Sequence, residues 1–181
     1  KQAIQRIRSL ERRFDFAWVE EPVPRWNAQA LRRVSDSIRA PVATGENLQA
    51  AQQFVPLITR GAVDVVQIGA GTGGITGALR VAELAAAFDL PVSMCNCPGR
   101  YMAHLSAALP HHTMMEVIDA GRDVVLDLQP EIRNGMLVLG DKPGAGLTFN
   151  SEKLERHRVV GPSSGTLAQA YARANDAGQV G

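Results

Sequence analysis

Three glutamates, Glu20, Glu46 and Glu116, each close a short apolar run. In Trp18-Val19-Glu20-Glu21-Pro22 and in Gly45-Glu46-Asn47 that run reads as a β-strand, and a helical pattern follows each. About 26 residues, one strand, helix and loop, separate Glu20 from Glu46. A parallel sheet with that repeat puts every strand end on one face. Carboxylates converging there repel one another unless a cation or a substrate acid group offsets them. Strand parity sets Glu20 with Phe16 and Trp18 on one face and Glu21 on the other. By the same parity Glu46 pairs with Thr44, and Glu116 with Met114.

Other motifs compete for the chemistry. Gly69-Ala70-Gly71-Thr72-Gly73-Gly74 fits G-x-G-x-x-G between a strand and a helix, the form of a dinucleotide site. Asp89 lies at the distance of a ribose-binding acid, but before the next strand rather than after it. The alternative is a tight βα turn lining the mouth, with backbone N–H groups available to an anion. Cys95 and Cys97 are too few and too close for a disulfide framework, and no further Cys or His completes a zinc site. Cys95 sits where a strand meets the mouth, so a thiol role stays open. His111 and His112 precede a strand, at the far end from the acids; His104 and His157 fall on helices.

The elements that position these residues follow from periodicity. Residues 2–13 carry Ile4, Ile7 and Leu10 on one helical stripe. Strands are expected over 14–20, 41–46, 63–68, 90–95 and 113–118. Helices are expected after Asn27 as cap, with Leu31, Val34 and Ile38 on one stripe, over 48–54, over 75–88 with Ile75, Leu79, Ala82 and Ala86 along one side, and over 100–109. Strand ends recurring near 20, 46, 68, 95 and 116 suit βα units of a parallel barrel or doubly wound sheet. Asn134-Gly135 then marks a hairpin, and a short helix over 151–157 has Ser151 as a candidate cap. Residues 161–181, rich in Gly, Ser, Ala and Gln, read as a weakly ordered tail. The expected organisation is a partial barrel domain over 1–128, a hairpin and helix packing on it over 129–160, and the tail.

Composition excludes several classes. Apolar residues are 45% and charged residues 20%, as in a globular soluble protein. Nineteen Lys and Arg against 18 Asp and Glu leave a net charge of +1, which supports neither nucleic acid nor an anionic membrane as partner. No apolar run approaches the ~20 residues of a membrane span. Reduced cysteines and the lack of a signal peptide suggest the cytoplasm.

Taken together, the Glu20 and Glu46 motifs, Gly73-Gly74-Ile75-Thr76 after a strand, and Pro143-Gly144-Ala145-Gly146-Leu147 resemble the enolase superfamily. The resemblance runs from residue 1 to about residue 160 and is greatest to the mandelate racemase-like branch of the mandelate racemase/muconate lactonizing enzyme family. It implies an α/β fold, the C-terminal part of a (β/α)7β TIM-like barrel, with the capping domain and first strands outside this chain. It also implies Mg²⁺ held by three acids on successive strands, Glu20 and Glu46 being the second and third. Glu116 matches an acid that hydrogen-bonds the substrate carboxylate. The implied reaction removes the proton next to that carboxylate through a metal-stabilised enediolate, and the family is usually oligomeric.

Two features depart from the family pattern. The first metal acid and the family's basic residues would lie upstream of residue 1. The His–Asp dyad is not visible, because Gln67-Ile68-Gly69 has no Asp and Cys95 stands at the His position. The expected function is a Mg²⁺-dependent acid-sugar dehydratase acting on a small hydroxy-carboxylate, with one-base elimination favoured over inversion. A racemase or epimerase, and a non-catalytic metal-binding relative, are the alternatives; a nicotinamide dehydrogenase is the reading from the glycine turn.

Overall fold

The computed structural model describes residues 1–97, 100–117, 125–127 and 131–158. Five parallel strands, β1 (Val19–Glu20), β2 (Val42–Thr44), β3 (Val65–Gly69), β4 (Val92–Cys97) and β5 (His112–Val117), pair in sequential order into a curled half-barrel. Helices α1 (Gln2–Glu11), α2 (Ala28–Ser35), α3 (Ala51–Thr59), α4 (Gly74–Ala86) and α5 (Arg100–Ala108) alternate with them. β1 and β5 are the two edges. Among the described residues no helix is long and apolar enough to cross a membrane.

The core lies between the outer face of the sheet and the helices. Val42, Val66, Ile68, Val92 and Met94 alternate outward along their strands and pack with Leu31, Phe54, Leu57, Val81 and Met102. Each fully buried side chain of this size contributes about 1.5–3 kcal/mol. Local signals begin the elements. Asn27 caps α2, its Oδ1 accepting the Ala30 N–H at 3.0 Å. In α6 (Ser151–Arg156) the cap is Asn150, accepting the Lys153 N–H, and not Ser151.

Several element boundaries differ from the sequence reading. The first strand covers only Val19–Glu20, because Phe14 to Trp18 form no ladder bonds. The third helix runs from Ala51 to Thr59 rather than over 48–54 and carries Pro56 inside it. Burying Phe54, Leu57 and Ile58 offsets the hydrogen bond that Pro56 cannot make. In α4 the buried face is Ala78, Val81, Ala82 and Ala85, while Ile75 and Leu79 are exposed. Small side chains let this helix lie close to the sheet.

Beyond the parallel strands, β6 (Glu131–Arg133) and β7 (Met136–Val138) form the expected antiparallel hairpin around Asn134 and Gly135, both at positive φ. Ile132, Met136 and Leu137 of the hairpin line a cleft with Met114 and Met115 of β5. The tail reading at 161–181 falls outside the described residues.

Candidate metal and substrate site

In-register residues of a parallel sheet share a face, so the pairing shows which side chains meet. Glu20 pairs with Ala43, Ala43 with Val65, Gln67 with Ser93, Gly69 with Cys95, and Ser93 with Met114. These residues, and Glu116 two beyond Met114, occupy the inner face. Between Met94 and Cys97 the register to β5 shifts, a bulge that sets Cys95 opposite the end of β5 near Glu116.

Glu20 and Glu21 separate as parity demands. Glu20 stays on the inner face, where Gln67 Nε2 donates to its Oε2 at 2.8 Å. Glu21, with φ at +40°, instead accepts from the outward Thr44 Oγ1 and from Arg25 Nη1, both at 3.3 Å.

Glu46 reaches the site by a different route from the one its parity with Thr44 suggests. Thr44 points to the outer, fully buried side. Gly45, at φ +129°, then turns the chain, and a Cβ there would come within 2.5 Å of the Gln67 carbonyl and 2.6 Å of the Phe54 ring. Only glycine fits that turn. Leu48 N–H donates to the Gly45 carbonyl at 2.9 Å and closes it.

The glycine-rich turn supports this loop from behind. A Cβ on Gly69 would collide with the Glu46 carbonyl oxygen, and one on Gly77 with the Thr72 carbonyl. The buried Thr72 Oγ1 donates to the Leu48 carbonyl at 2.8 Å. Close backbone approach thus accounts for Gly69, without invoking a bound dinucleotide.

One donor atom each from Glu46, Cys95 and Glu116 lies within 4.8 Å of the other two. The electrostatics follow from that crowding. Burial, then the charge of Glu20, pushes the Glu46 carboxyl above its ordinary range; a hydrogen bond from Asn47 opposes this, and Glu116 and Glu21 add to it. Burial pushes the Cys95 thiol up to about 12, against a stabilising contact from Ser93 and with Glu46, Glu20 and Glu116 adding to the rise. Oxygen donors of this kind suit a hard divalent cation.

The histidines lie elsewhere in the fold. His111 Nε2 bonds the Ala82 carbonyl at 3.0 Å, and burial lowers the His112 pKa, both at the start of β5 away from the acids. Gln67 is the residue that sequence reasoning passed over. Its signal was a lone amide at inward parity in a strand of β-branched residues.

Acids gathered at the C-terminal mouth of parallel strands define a βα-barrel site of the kind that gathers a cation and a substrate. The chain belongs to the enolase C-terminal domain-like family, whose profile matches residues 1–153. Within the enolase superfamily its relatives are mandelate racemase/muconate lactonizing enzyme proteins. It is 30% identical to D-xylonate dehydratase of Haloferax volcanii over 165 residues, 87% of this chain and 40% of that protein. It is 29% identical to L-talarate/galactarate dehydratase of Salmonella typhimurium, over 83% of this chain and 37% of that protein. A solved enolase from Bradyrhizobium, complexed with magnesium and mandelic acid, shares 31% identity with a TM-score of 0.78, covering 87% of this chain and 43% of that one. The chain therefore spans about 40% of the length of the curated relatives it matches.

Proposed function

We propose that the intact protein is a Mg²⁺-dependent enzyme that removes the proton next to the carboxylate of a hydroxy acid, and that an acid sugar undergoing dehydration is its substrate. The observation that carries this reading is the meeting of Glu20, Glu46, Cys95 and Glu116 on one inner face at the strand ends. Two relatives are named as dehydratases of xylonate and of talarate and galactarate, and a solved L-talarate/galactarate dehydratase is liganded with Mg and L-lyxarohydroxamate.

The donor set fits the metal. Glu20 and Glu46 would hold it, since both are carboxylates, and burial followed by the charge of Glu20 raises the Glu46 pKa. Among the described residues the buried Gln67 Oε1 has no hydrogen-bond partner, while its Nε2 donates to Glu20. When bound, Mg²⁺ supplies positive charge against the charge that builds on a substrate carboxylate as the adjacent proton leaves. Glu116, on the inner face of β5, is placed to hydrogen-bond that carboxylate. Cys95 faces the substrate as a neutral thiol at neutral pH, able to donate but a poor base. Gln67 steadies Glu20, and the Gly45 turn steadies Glu46.

Incubating the intact protein with Mg²⁺, D₂O and a panel of sugar acids tests this reading. The expected outcome is deuterium incorporation or dehydration with at least one acid sugar, lost in Glu116→Gln. No exchange with any hydroxy acid would sink the catalytic reading.

A second reading, a metal-binding relative without catalysis, is favoured by Gly69. The backbone of Glu46 occupies the space that any side chain at that strand end would need. With Gly69 and Cys95 at the two strand ends, a His–Asp base has no place on β3 and β4. Mg²⁺ binding without exchange would support this second reading.

A further inference from the structure

We infer that Asn134-Gly135 is a site of spontaneous covalent modification, where the chain exchanges an amide for an acid and rearranges its own backbone. β6 and β7 pair up to Arg133 and Met136, so Asn134 and Gly135 are the whole loop between them, at φ +52° and +75°. Both residues are exposed. Neither the Asn134 amide nor the Gly135 N–H has a hydrogen-bond partner among the described residues. A Cβ built on Gly135 would meet nothing within 4 Å, so no neighbouring group crowds this residue.

The reaction needs an unengaged backbone nitrogen next to a side-chain amide. Loss of the Gly135 N–H proton to hydroxide makes that nitrogen a nucleophile, and it attacks Asn134 Cγ. The N–Cγ bond forms, the Cγ–Nδ2 bond breaks, and the nitrogen leaves as ammonia with a proton taken from water. The cyclic imide then adds water at one of its two carbonyls. Opening at Cγ leaves an ordinary aspartate. Opening at the backbone carbonyl leaves the chain running through the former side chain. Glycine favours the ring closure, because a side chain on the attacking residue would crowd it.

Other asparagines of the chain are restrained on both counts. Asn27 Oδ1 accepts the Ala30 N–H at 3.0 Å, and Asn150 Oδ1 accepts the Lys153 N–H at 2.9 Å. Asn47 Nδ2 donates to Glu46 Oε1 at 2.8 Å. Each precedes a residue with a Cβ, namely Ala28, Ser151 and Leu48.

The two products treat the hairpin differently. Aspartate keeps the turn, since Asp-Gly favours the same geometry as Asn-Gly. The rearranged product adds a backbone carbon to a two-residue loop, which then no longer suits the twist and register of its strands. A two-stranded hairpin has little stability to spare. Ile132, Met136 and Leu137 line a cleft with Met114 and Met115, so a loosened hairpin bares the edge strand β5.

Incubating the folded, intact protein at mildly alkaline pH, followed by peptide mass mapping, tests the inference. Asn134 should convert more than about tenfold faster than Asn27, Asn47 and Asn150, a barrier difference of roughly 1.4 kcal/mol. The rate should rise with pH. In the rearranged form, amide hydrogen exchange over residues 131–138 should be faster than in the unmodified protein. Asn134→Gly, which keeps a pair suited to the turn, should release no ammonia from this segment. Freshly purified Asn134→Asp should keep the exchange protection of the unmodified protein. Conversion seen only in urea, or no faster than at the bonded asparagines, overturns the site. A rearranged form with unaltered exchange over 131–138 overturns its effect on the hairpin.

Discussion

The two ends of the same sheet treat their acids in opposite ways. At the N-terminal end the buried Glu11 Oε1 accepts the backbone N–H groups of Arg39 and Ala40, both at 2.8 Å. Asp64 there accepts Ser35 Oγ and the Val42 N–H, the latter at 2.7 Å. These carboxylates are satisfied by donors that tie helix and loop to the strand starts. At the C-terminal mouth, Glu46 is instead raised in pKa by burial and by Glu20, with Glu116 adding to the effect. Satisfied acids stabilise the fold, whereas mutually repelling acids hold electrostatic free energy that a cation recovers. In parallel barrels this division recurs, with stability at the bottom and chemistry at the top.

The contrast is sharpest for metal binding. Glu20→Gln and Glu46→Gln should each lower Mg²⁺ affinity of the intact protein by at least about 100-fold, or roughly 2.7 kcal/mol, as measured by calorimetry. Glu21→Gln, on the outward side with Thr44 and Arg25, should cost much less. Equal losses at all three would undo the separation of Glu20 from Glu21.

Gly69→Ala should disturb both properties at once. Its Cβ meets backbone, so the Glu46 loop must move. A stability loss of about 3 kcal/mol is expected, at the upper end for overpacking, together with weaker Mg²⁺ binding. A urea midpoint and metal affinity like those of the unsubstituted protein would show that the close approach does not position Glu46.

Glu11→Ala should cost stability alone. It leaves two backbone donors without their acceptor, worth about 2–3 kcal/mol, visible as a lower urea midpoint with unchanged Mg²⁺ affinity. A change in Mg²⁺ affinity would break the division between the two ends.

The smallest effect has the opposite sign. Because the folded pKa of Glu46 lies above its ordinary 4.5, the native state holds that proton more tightly than the unfolded chain does. The metal-free protein therefore loses stability as pH rises from that ordinary value through the raised one. Glu46→Gln should raise the melting temperature of the metal-free protein at neutral pH, and the gain should vanish in acid. A lower melting temperature at neutral pH would mean that Glu46 is satisfied like Glu11.

Much of this was legible in the chain itself. Hydrophobic runs at a βα interval determined parallel strands, because only alternating helices and covered strands produce that pattern. Period-two alternation turned Glu20 inward and Glu21 outward, and Asn134-Gly135 determined the hairpin, since its turn needs positive φ at both residues. Boundaries were less legible where local propensity lost to burial, as with Pro56 inside α3 and the alanine face of α4.

Tertiary structure decided how the acids meet. Thr44 and Glu46 have the same parity, yet Gly45 turns Glu46 away from the side Thr44 faces, a backbone event that side-chain alternation does not encode. The glycine run looked like a phosphate cradle because such cradles and close backbone packing call for the same missing Cβ. That Gly69 makes room for the Glu46 carbonyl, and that Cys95 comes close to Glu46 and Glu116, depend on neighbours distant in sequence. Residue types and local periodicity set which side of a strand a group faces; only strand packing sets what it faces.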